Sequence, residues 1–397
     1  MLPAALMPDF LSEAQDLFEY TQSLRRDFHA NPELGFHEFR TAGIVAKELT
    51  DLGLEVHTGV AETGVVAVLE GSRPGPVVLV RADMDALPIV EETGASYASR
   101  NPGVMHACGH DGHTATLLTV ARMLNNHRKD IAGTVKFMFQ PAEEGMGGAE
   151  KMIAAGVFNN PKVDVALALH VWNEKPVGWI GIANGPAMAG AEIFNIKIRG
   201  KGGHGAAPHL AVDPVLASAQ VITALQGIVS RNIAPLQTAV VSVCTVHAGE
   251  AFNVIPPMVE MTGTIRTFEP AIRTLVLERF EKTVYSVAEA MGCKAELDVQ
   301  RLTPATINHM EIAAQVQAVA RHLFPGADVD TGNFVTMGSE DFAFILEKVP
   351  GCFFFIGSAN PEKGLDAGHH HPKFDIDETA LPMGAALMTA NIMDLLK

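Results

Sequence analysis

Val77-Val78-Leu79-Val80-Arg81-Ala82-Asp83-Met84-Asp85-Ala86-Leu87-Pro88 is the stretch on which the fold turns. Its first four residues form an unbroken apolar, β-branched run, the pattern of a strand buried on both faces. The run then passes into Asp83 and Asp85. In open α/β sheets, chemistry gathers beyond the carboxyl ends of strands. Two later runs repeat the arrangement: Thr134 to Phe139 meets Gln140-Pro141-Ala142-Glu143-Glu144-Gly145, and Val163 to Leu169 meets His170. Three strand ends therefore finish in metal-type residues. Between them lies helical spacing. Leu17, Phe18, Leu24 and Phe28 precede a break at Asn31-Pro32, and Glu38 to Leu52 closes on Gly53. A third helix is expected from Thr114 to Asn125, with Asp111 as its N-cap. Strands alternating with helices predict an α/β domain with a mostly parallel, helix-covered sheet.

From about Gly185 the grammar changes. Phe194, Ile196 and Ile198 alternate with Asn195, Lys197 and Arg199, as in a half-buried strand. A helix (213–230), two strands (238–246 and 258–268), a long helix (270–291) and a last strand (295–299) follow. The order β-α-β-β-α-β is that of a ferredoxin-like sandwich, whose open face or edge often serves as a dimer surface. After about Thr303 helices and buried strands return, including Cys352 to Ile356. The expected plan is a discontinuous domain, 1–186 with 301–397, interrupted by an inserted α+β domain, 187–300.

Length and charge narrow the function. A chain of 397 residues exceeds one ordinary core, and 48% hydrophobic with 19% charged residues suits a globular enzyme. A formal net charge of -16, with no block of Lys or Arg, argues against nucleic acid or anionic membranes as partners. The four cysteines, Cys108, Cys244, Cys293 and Cys352, are too scattered for a disulfide framework. The amino-terminal stretch lacks a basic region, and no run is long enough for a membrane span. A cytoplasmic protein is expected.

The densest chemistry is His106-Ala107-Cys108-Gly109-His110-Asp111-Gly112-His113. Cys108 and His110, with Gly109 between them, can turn two donor atoms toward one ion. Glu143 and Glu144 are adjacent, and in extended backbone neighbouring side chains point opposite ways. One could ligate metal while the other handles protons. His170 and the run His369-His370-His371 complete the candidates, although a solvated loop explains the latter equally well.

RADMDALP, MHACGHDGHTA, FQPAEEGMGGAEKMI, ALH, GKGGHGAAPH, AFNVIPP with GTIRTF, MGSEDFA and HPKFDID follow one another across nearly the whole chain. In these motifs it closely resembles the hippurate hydrolase and auxin-conjugate amidohydrolase group of the co-catalytic metallopeptidases, relatives of the aminoacylases and glutamate carboxypeptidases. The resemblance implies two divalent metal ions per subunit, manganese or zinc first, with cobalt or nickel also compatible. Cys108, His110, Glu144, His170 and His370 are the implied ligands, His370 because Pro372 and Phe374 follow it in an H-x-P-x-F pattern. Glu143 is the implied general base, acting on a metal-bound water. Asp83 and Asp85 stand where relatives carry a ligand His and its supporting Asp; both are read as supporting here, Asp85 with the stronger claim to a catalytic role. His204 is implied to reach the neighbouring subunit's site and polarise the scissile carbonyl, while Asn253 and Arg266 hold substrate. The implied reaction is hydrolysis of N-acyl amino acids to a carboxylic acid and a free amino acid, by a homodimer joined through the inserted domain. A dipeptidase or carboxypeptidase, or an N-acetyl-diaminopimelate-type deacetylase, is the alternative. One departure stands out: relatives usually carry an apolar residue where this chain has His369.

Overall fold

The computed structural model describes residues 8–332 and 334–397. The chain runs α1 (Phe10–Asp16), α2 (Phe18–Ala30), α3 (Phe39–Asp51), β1 (Glu55–Val60), β2 (Gly64–Glu70), β3 (Arg73–Asp83), α4 (His110–Asn126), β4 (Ala132–Gln140), α5 (Gly148–Ala154), β5 (Val165–Pro176), β6 (Trp179–Gly181) and β7 (Pro186–Met188). β8 (Gly190–Arg199), β9 (Gly203–His204), α6 (Pro214–Asn232), β10 (Ala239–His247), β11 (Val254–Ile255), β12 (Met258–Thr267), α7 (Pro270–Ala290) and β13 (Lys294–Thr303) follow. The last section holds β14 (Thr306–Ile307), α8 (Met310–Leu323), β15 (Asp328–Asp330), α9 (Ala343–Leu346), β16 (Gly351–Ala359) and α10 (Leu381–Leu395).

Two compact units result. The larger takes the chain up to Ala187, then Ile307–Val335 and Asp341–Lys397; the smaller takes Met188–Thr306 and Thr336–Glu340. These bounds differ from a plain 187–300 insertion in two places. β13 carries the smaller sheet on to Thr303, and residues 336–340 join it because the Ala189 N–H donates to Thr336 O at 3.1 Å and Gly338 O at 3.0 Å.

The larger unit is an α/β sheet ordered β1-β2-β4-β3-β5-β16-β6-β15. Its centre, β4-β3-β5-β16, is parallel, and β2 adds antiparallel at one side. Val78, Leu79 and Val80 are wholly buried in β3 between β4 and β5, as their unbroken apolar run requires. His170 does not end its strand. β16 pairs alongside β5, with Phe355 opposite His170, so the ladder carries β5 on to Pro176. The smaller unit forms a four-stranded antiparallel sheet, β10-β12-β8-β13, covered by α6 and α7. In β12 buried residues alternate with partly exposed ones, and Phe194 of β8 packs on Phe280 of α7. Among the described residues no helix is long and apolar enough to cross a membrane.

α4 starts four residues earlier than its apolar pattern suggests, and Asp111 is not its cap. Gly109 takes the N-cap position at φ 90°, and a Cβ there would stand 2.4 Å from Val171 Cγ2, so only glycine fits. Asp111 lies in the first turn, captured by Arg25 of α2, whose Nε donates to Asp111 Oδ2 at 2.9 Å. The same guanidinium reaches Asp375 Oδ1 at 2.6 Å and Glu378 Oε1 at 3.2 Å. Arg25 and Asp111 side chains are both fully buried. His29 Nδ1 meets Asp111 Oδ2 at 2.7 Å, and Tyr97 Oη donates to Asp375 Oδ2 at 2.7 Å. Burial opposes charge on Asp111, but Arg25 and then His29 outweigh it and hold the carboxyl far below its usual range.

Removing one partner of a buried ion cluster strands the others. Arg25→Met should lower unfolding stability by about 3–5 kcal/mol, read from urea or thermal melts. A loss within experimental error would show that the cluster does not hold these segments.

Candidate metal and catalytic site

Four imidazoles approach one another in the larger unit, and their hydrogen bonds sort them into roles. His113 has both ring nitrogens engaged: the Val171 N–H donates to its Nε2 at 2.9 Å, so Nδ1 carries the proton and donates to Asp83 Oδ1 at 2.6 Å. It has no lone pair left for an ion. His110 donates through Nδ1 to Asp85 O at 2.9 Å, and its Nε2 is buried without a hydrogen-bond partner. His170 donates through Nδ1 to Val171 O at 2.5 Å, which turns its Nε2 to within 3.5 Å of Cys108 Sγ. An outer N–H held by the protein, with a bare inner nitrogen, is the pattern of a metal-ligating histidine.

Carboxylate donors join them. Glu144 Oε1 is buried, 4.0 Å from His110 Nε2 and paired with His370 Nε2 at 3.2 Å. Donor atoms of Cys108, His110 and His170 lie within 4.8 Å of one another, as do those of Cys108, Glu144 and His370, and of His110, Glu143 and Glu144. The local field is negative. Burial opposes charge on His110, yet Asp83 and Cys108 outweigh it and raise its pKa. Hydrogen bonding to Cys108 and Glu144 likewise pushes His370 up to about 10. Bare buried donors in a field that favours positive charge fit a divalent cation, and the thiolate and imidazoles suit zinc-like ions better than magnesium or calcium.

Glu143 and Glu144 diverge by a turn rather than by extended backbone. β4 ends at Gln140, and Ala142 takes φ 53°, a left-handed conformation. A Cβ on Gly148 would lie 1.7 Å from Pro141 O, so the chain folds tightly back beneath the pair. Glu143 Oε1 accepts the Asp341 N–H at 3.3 Å. Asp85 serves both ligand residues: Oδ1 lies 3.2 Å from His110 Nδ1, and Oδ2 accepts the Glu144 N–H at 3.0 Å. Both Asp85 oxygens are thus occupied in orienting neighbours. Asp83 is bound by His113 and by Arg81 Nη1 at 2.7 Å.

The carboxy-terminal histidines separate cleanly. His370 sits at φ 64°, its N–H on Ala107 O at 2.8 Å, beside Glu144. His371 is exposed and caps its own turn, accepting the Lys373 N–H at 3.0 Å. His369 turns toward Cys108 Sγ, 3.8 Å from Nδ1. The smaller unit carries the other three candidates. His204 ends β9 and stands opposite Val254 of β11, and Asn253 just before β11 accepts the Gly205 N–H on its backbone carbonyl at 2.8 Å. Arg266, on β12, donates to Thr264 Oγ1 at 3.1 Å and Ser339 Oγ at 2.9 Å.

The family profile described as Peptidase family M20/M25/M40 matches residues 79–394. The chain belongs to this family. It is 41% identical over 365 residues to N-acetylcysteine deacetylase of Bacillus subtilis, covering 91% of this chain and 93% of that one. With the IAA-amino acid hydrolase ILR1-like 4 of Arabidopsis thaliana it shares 40% over 385 residues, 95% of this chain and 86% of the relative. A Bacillus subtilis crystal structure described as a dinuclear metal binding peptidase from the M20 family superposes with a TM-score of 0.84 at 35% identity, covering 96% and 99% of the two chains. The M20 chain is accordingly a hydrolase acting on amide bonds, with divalent metals as its cofactor class.

Sequence reasoning passed over the supports of this M20 site. Arg81 Nε donates to Gln140 Oε1 at 2.8 Å and Nη2 to Asp341 Oδ1 at 3.1 Å, while the Ala149 N–H donates to Asp341 Oδ2 at 2.9 Å. This buried set fixes the turn that presents Glu143. RADMDALP and MGSEDFA contain Arg81 and Asp341, but an acidic motif residue does not announce which arginine it will meet.

Loading the metal-free protein with zinc or manganese should release protons, because the Cys108 thiol, whose pKa burial raises, and the His110 and His370 imidazoles must give theirs up. Calorimetry in buffers of different ionisation enthalpy measures this. Heats that are independent of the buffer would show that neither the thiol nor these imidazoles surrenders a proton to the ion.

Proposed function

We propose that this chain hydrolyses the amide bond of N-acyl amino acids, releasing a carboxylic acid and a free amino acid. The observation that carries the reading is the convergence of donor atoms from Cys108, His110, Glu144, His170 and His370, with the Glu143 carboxylate at its side. The chemistry needs a cation site and, next to it, an acid–base group. Two divalent ions, manganese or zinc, would supply Lewis acidity and lower the pKa of water there.

Glu143 takes the proton of the attacking water and delivers it to the departing amine. The Asp341 N–H holds one of its oxygens, so the carboxylate is aimed before substrate arrives. His204 is exposed and its Nδ1 accepts the Ala206 N–H at 3.0 Å, which leaves the proton on Nε2 facing outward. That N–H is the donor for the developing oxyanion, in the partner subunit of a dimer joined through the smaller unit. Asn253 and Arg266 hold substrate. Thr264 and Ser339 fix two nitrogens of the Arg266 fork, and the remaining edge takes the substrate carboxylate. The four free cysteines, Cys244 exposed among them, fit a reducing cytoplasm.

Glu143→Gln should retain bound metal while kcat falls by a factor of about 100–10,000. Near-normal turnover would remove Glu143 as the base. His204→Ala should be inactive with full metal content, and mixing it with Glu143→Gln should restore part of the activity; no recovery on subunit exchange would sink the shared site. A panel of N-acetyl, N-benzoyl and indole-acetyl amino acids beside dipeptides, run on manganese- and zinc-loaded protein, tests the substrate class. Preference for dipeptides would assign a dipeptidase or carboxypeptidase instead.

A further inference from the structure

His369 lies outside the ligand set, yet it is held as closely as a ligand. Its ring is tilted against Trp172, with centroids 4.8 Å apart, and against Phe374 at 5.0 Å. The Asn173 backbone N–H points at its Nε2 from 3.2 Å. That N–H is itself fixed, because the Asn173 amide donates to Ala367 O at 2.8 Å and Asp375 O at 3.0 Å and accepts from Ser358 Oγ at 3.0 Å. A nitrogen that accepts cannot carry the proton, so in the neutral ring the proton sits on Nδ1. Nδ1 faces the Cys108 sulfur at 3.8 Å, within reach of an N–H···S hydrogen bond.

We propose that His369 is a positioning residue for the metal centre, donating its Nδ1–H to the Cys108 sulfur and so fixing the thiolate's orientation and drawing off part of its charge. The inference rests on Cys108 being a metal ligand. A hydrogen bond to a ligating sulfur lowers its donor orbital and weakens its donation to the ion. Such a thiolate is a harder, less oxidisable ligand than a free one. An apolar residue in the same slot could fill the space between Trp172 and Phe374 but could not do this.

The test is the thiolate-to-metal charge-transfer band of the protein loaded with cobalt(II). In His369→Phe, which keeps the ring and loses the donor, the band should move to longer wavelength. In His369→Asn, whose Nδ2 stands near the place of Nδ1, it should stay close to the wild-type position. A His369→Phe band at the wild-type wavelength would overturn the proposal while leaving the metal reading intact. Absence of any such band in the wild type would overturn the ligand reading and the proposal with it. A measurement without substitution applies if a variant fails to fold: two-bond 1H–15N correlation spectra of the wild-type protein should show the His369 proton on Nδ1, and a proton on Nε2 would rule the hydrogen bond out.

Discussion

The buried guanidinium of Arg25 is the constraint on which the site depends. It comes from α2, yet its carboxylate partners are Asp111, one residue past His110, and Asp375 and Glu378, just beyond His370. Two segments that supply donor atoms, more than 250 residues apart in sequence, are thereby tied to one charge. Taking these ions out of water costs several kcal/mol each, so the cluster is a poor source of net stability compared with apolar packing. What it supplies is position. Asp111, Asp375 and Glu378 meet on one guanidinium, and the backbone that bears each is fixed with respect to the others.

A second buried arginine does the same work for other segments. Arg81 gathers Asp83, Gln140 and Asp341, and those residues in turn hold His113 and the Glu143 turn. The donors are thus oriented by side chains and carbonyls outside the proposed ligand set. His110 leans on Asp85, His170 on the Val171 carbonyl, and the Glu144 backbone again on Asp85. Directionality explains why so many partners are needed: an imidazole presents a lone pair along one axis only, and a second hydrogen bond is the means of fixing that axis.

These relations also mark where sequence reading reaches and where it stops. The parallel core was legible in Val77–Val80 and its companions because burial on both faces leaves an unbroken apolar run. The ferredoxin-like order was legible in the alternation of Phe194, Ile196 and Ile198. Asp111 was misread because a carboxylate at a helix start has two possible partners, the helix N–H groups or a distant cation, and only the tertiary fold brings Arg25 to it. The end of β5 at His170 was misread for a related reason: strand length is set by the neighbour, and β16 lies almost 200 residues downstream. Glu143 and Glu144 were found by their types, while the turn that separates them depends on Ala142 in a conformation that alanine seldom adopts.

That last feature generalises. Ala142 and His370 both have positive φ without being glycine, at 53° and 64°, and each stands at the donor cluster or next to it. Such backbone costs on the order of 1–3 kcal/mol per residue and survives only where surrounding contacts over-determine it. Around Ala142 those contacts are the Glu38 carboxylate on its N–H at 2.9 Å and its own carbonyl on the Gly148 N–H at 3.1 Å. Around His370 they are the Ala107 carbonyl and the Asp375 anchor on Arg25. Relaxing either residue to ordinary helical or extended backbone would swing Glu143 and Glu144, or the His370 ring, away from Cys108 and His110. The strain and the buried charges are therefore two parts of one arrangement: the arginine clusters hold the backbone where the donors converge, at a local conformational cost that the chain alone would not sustain.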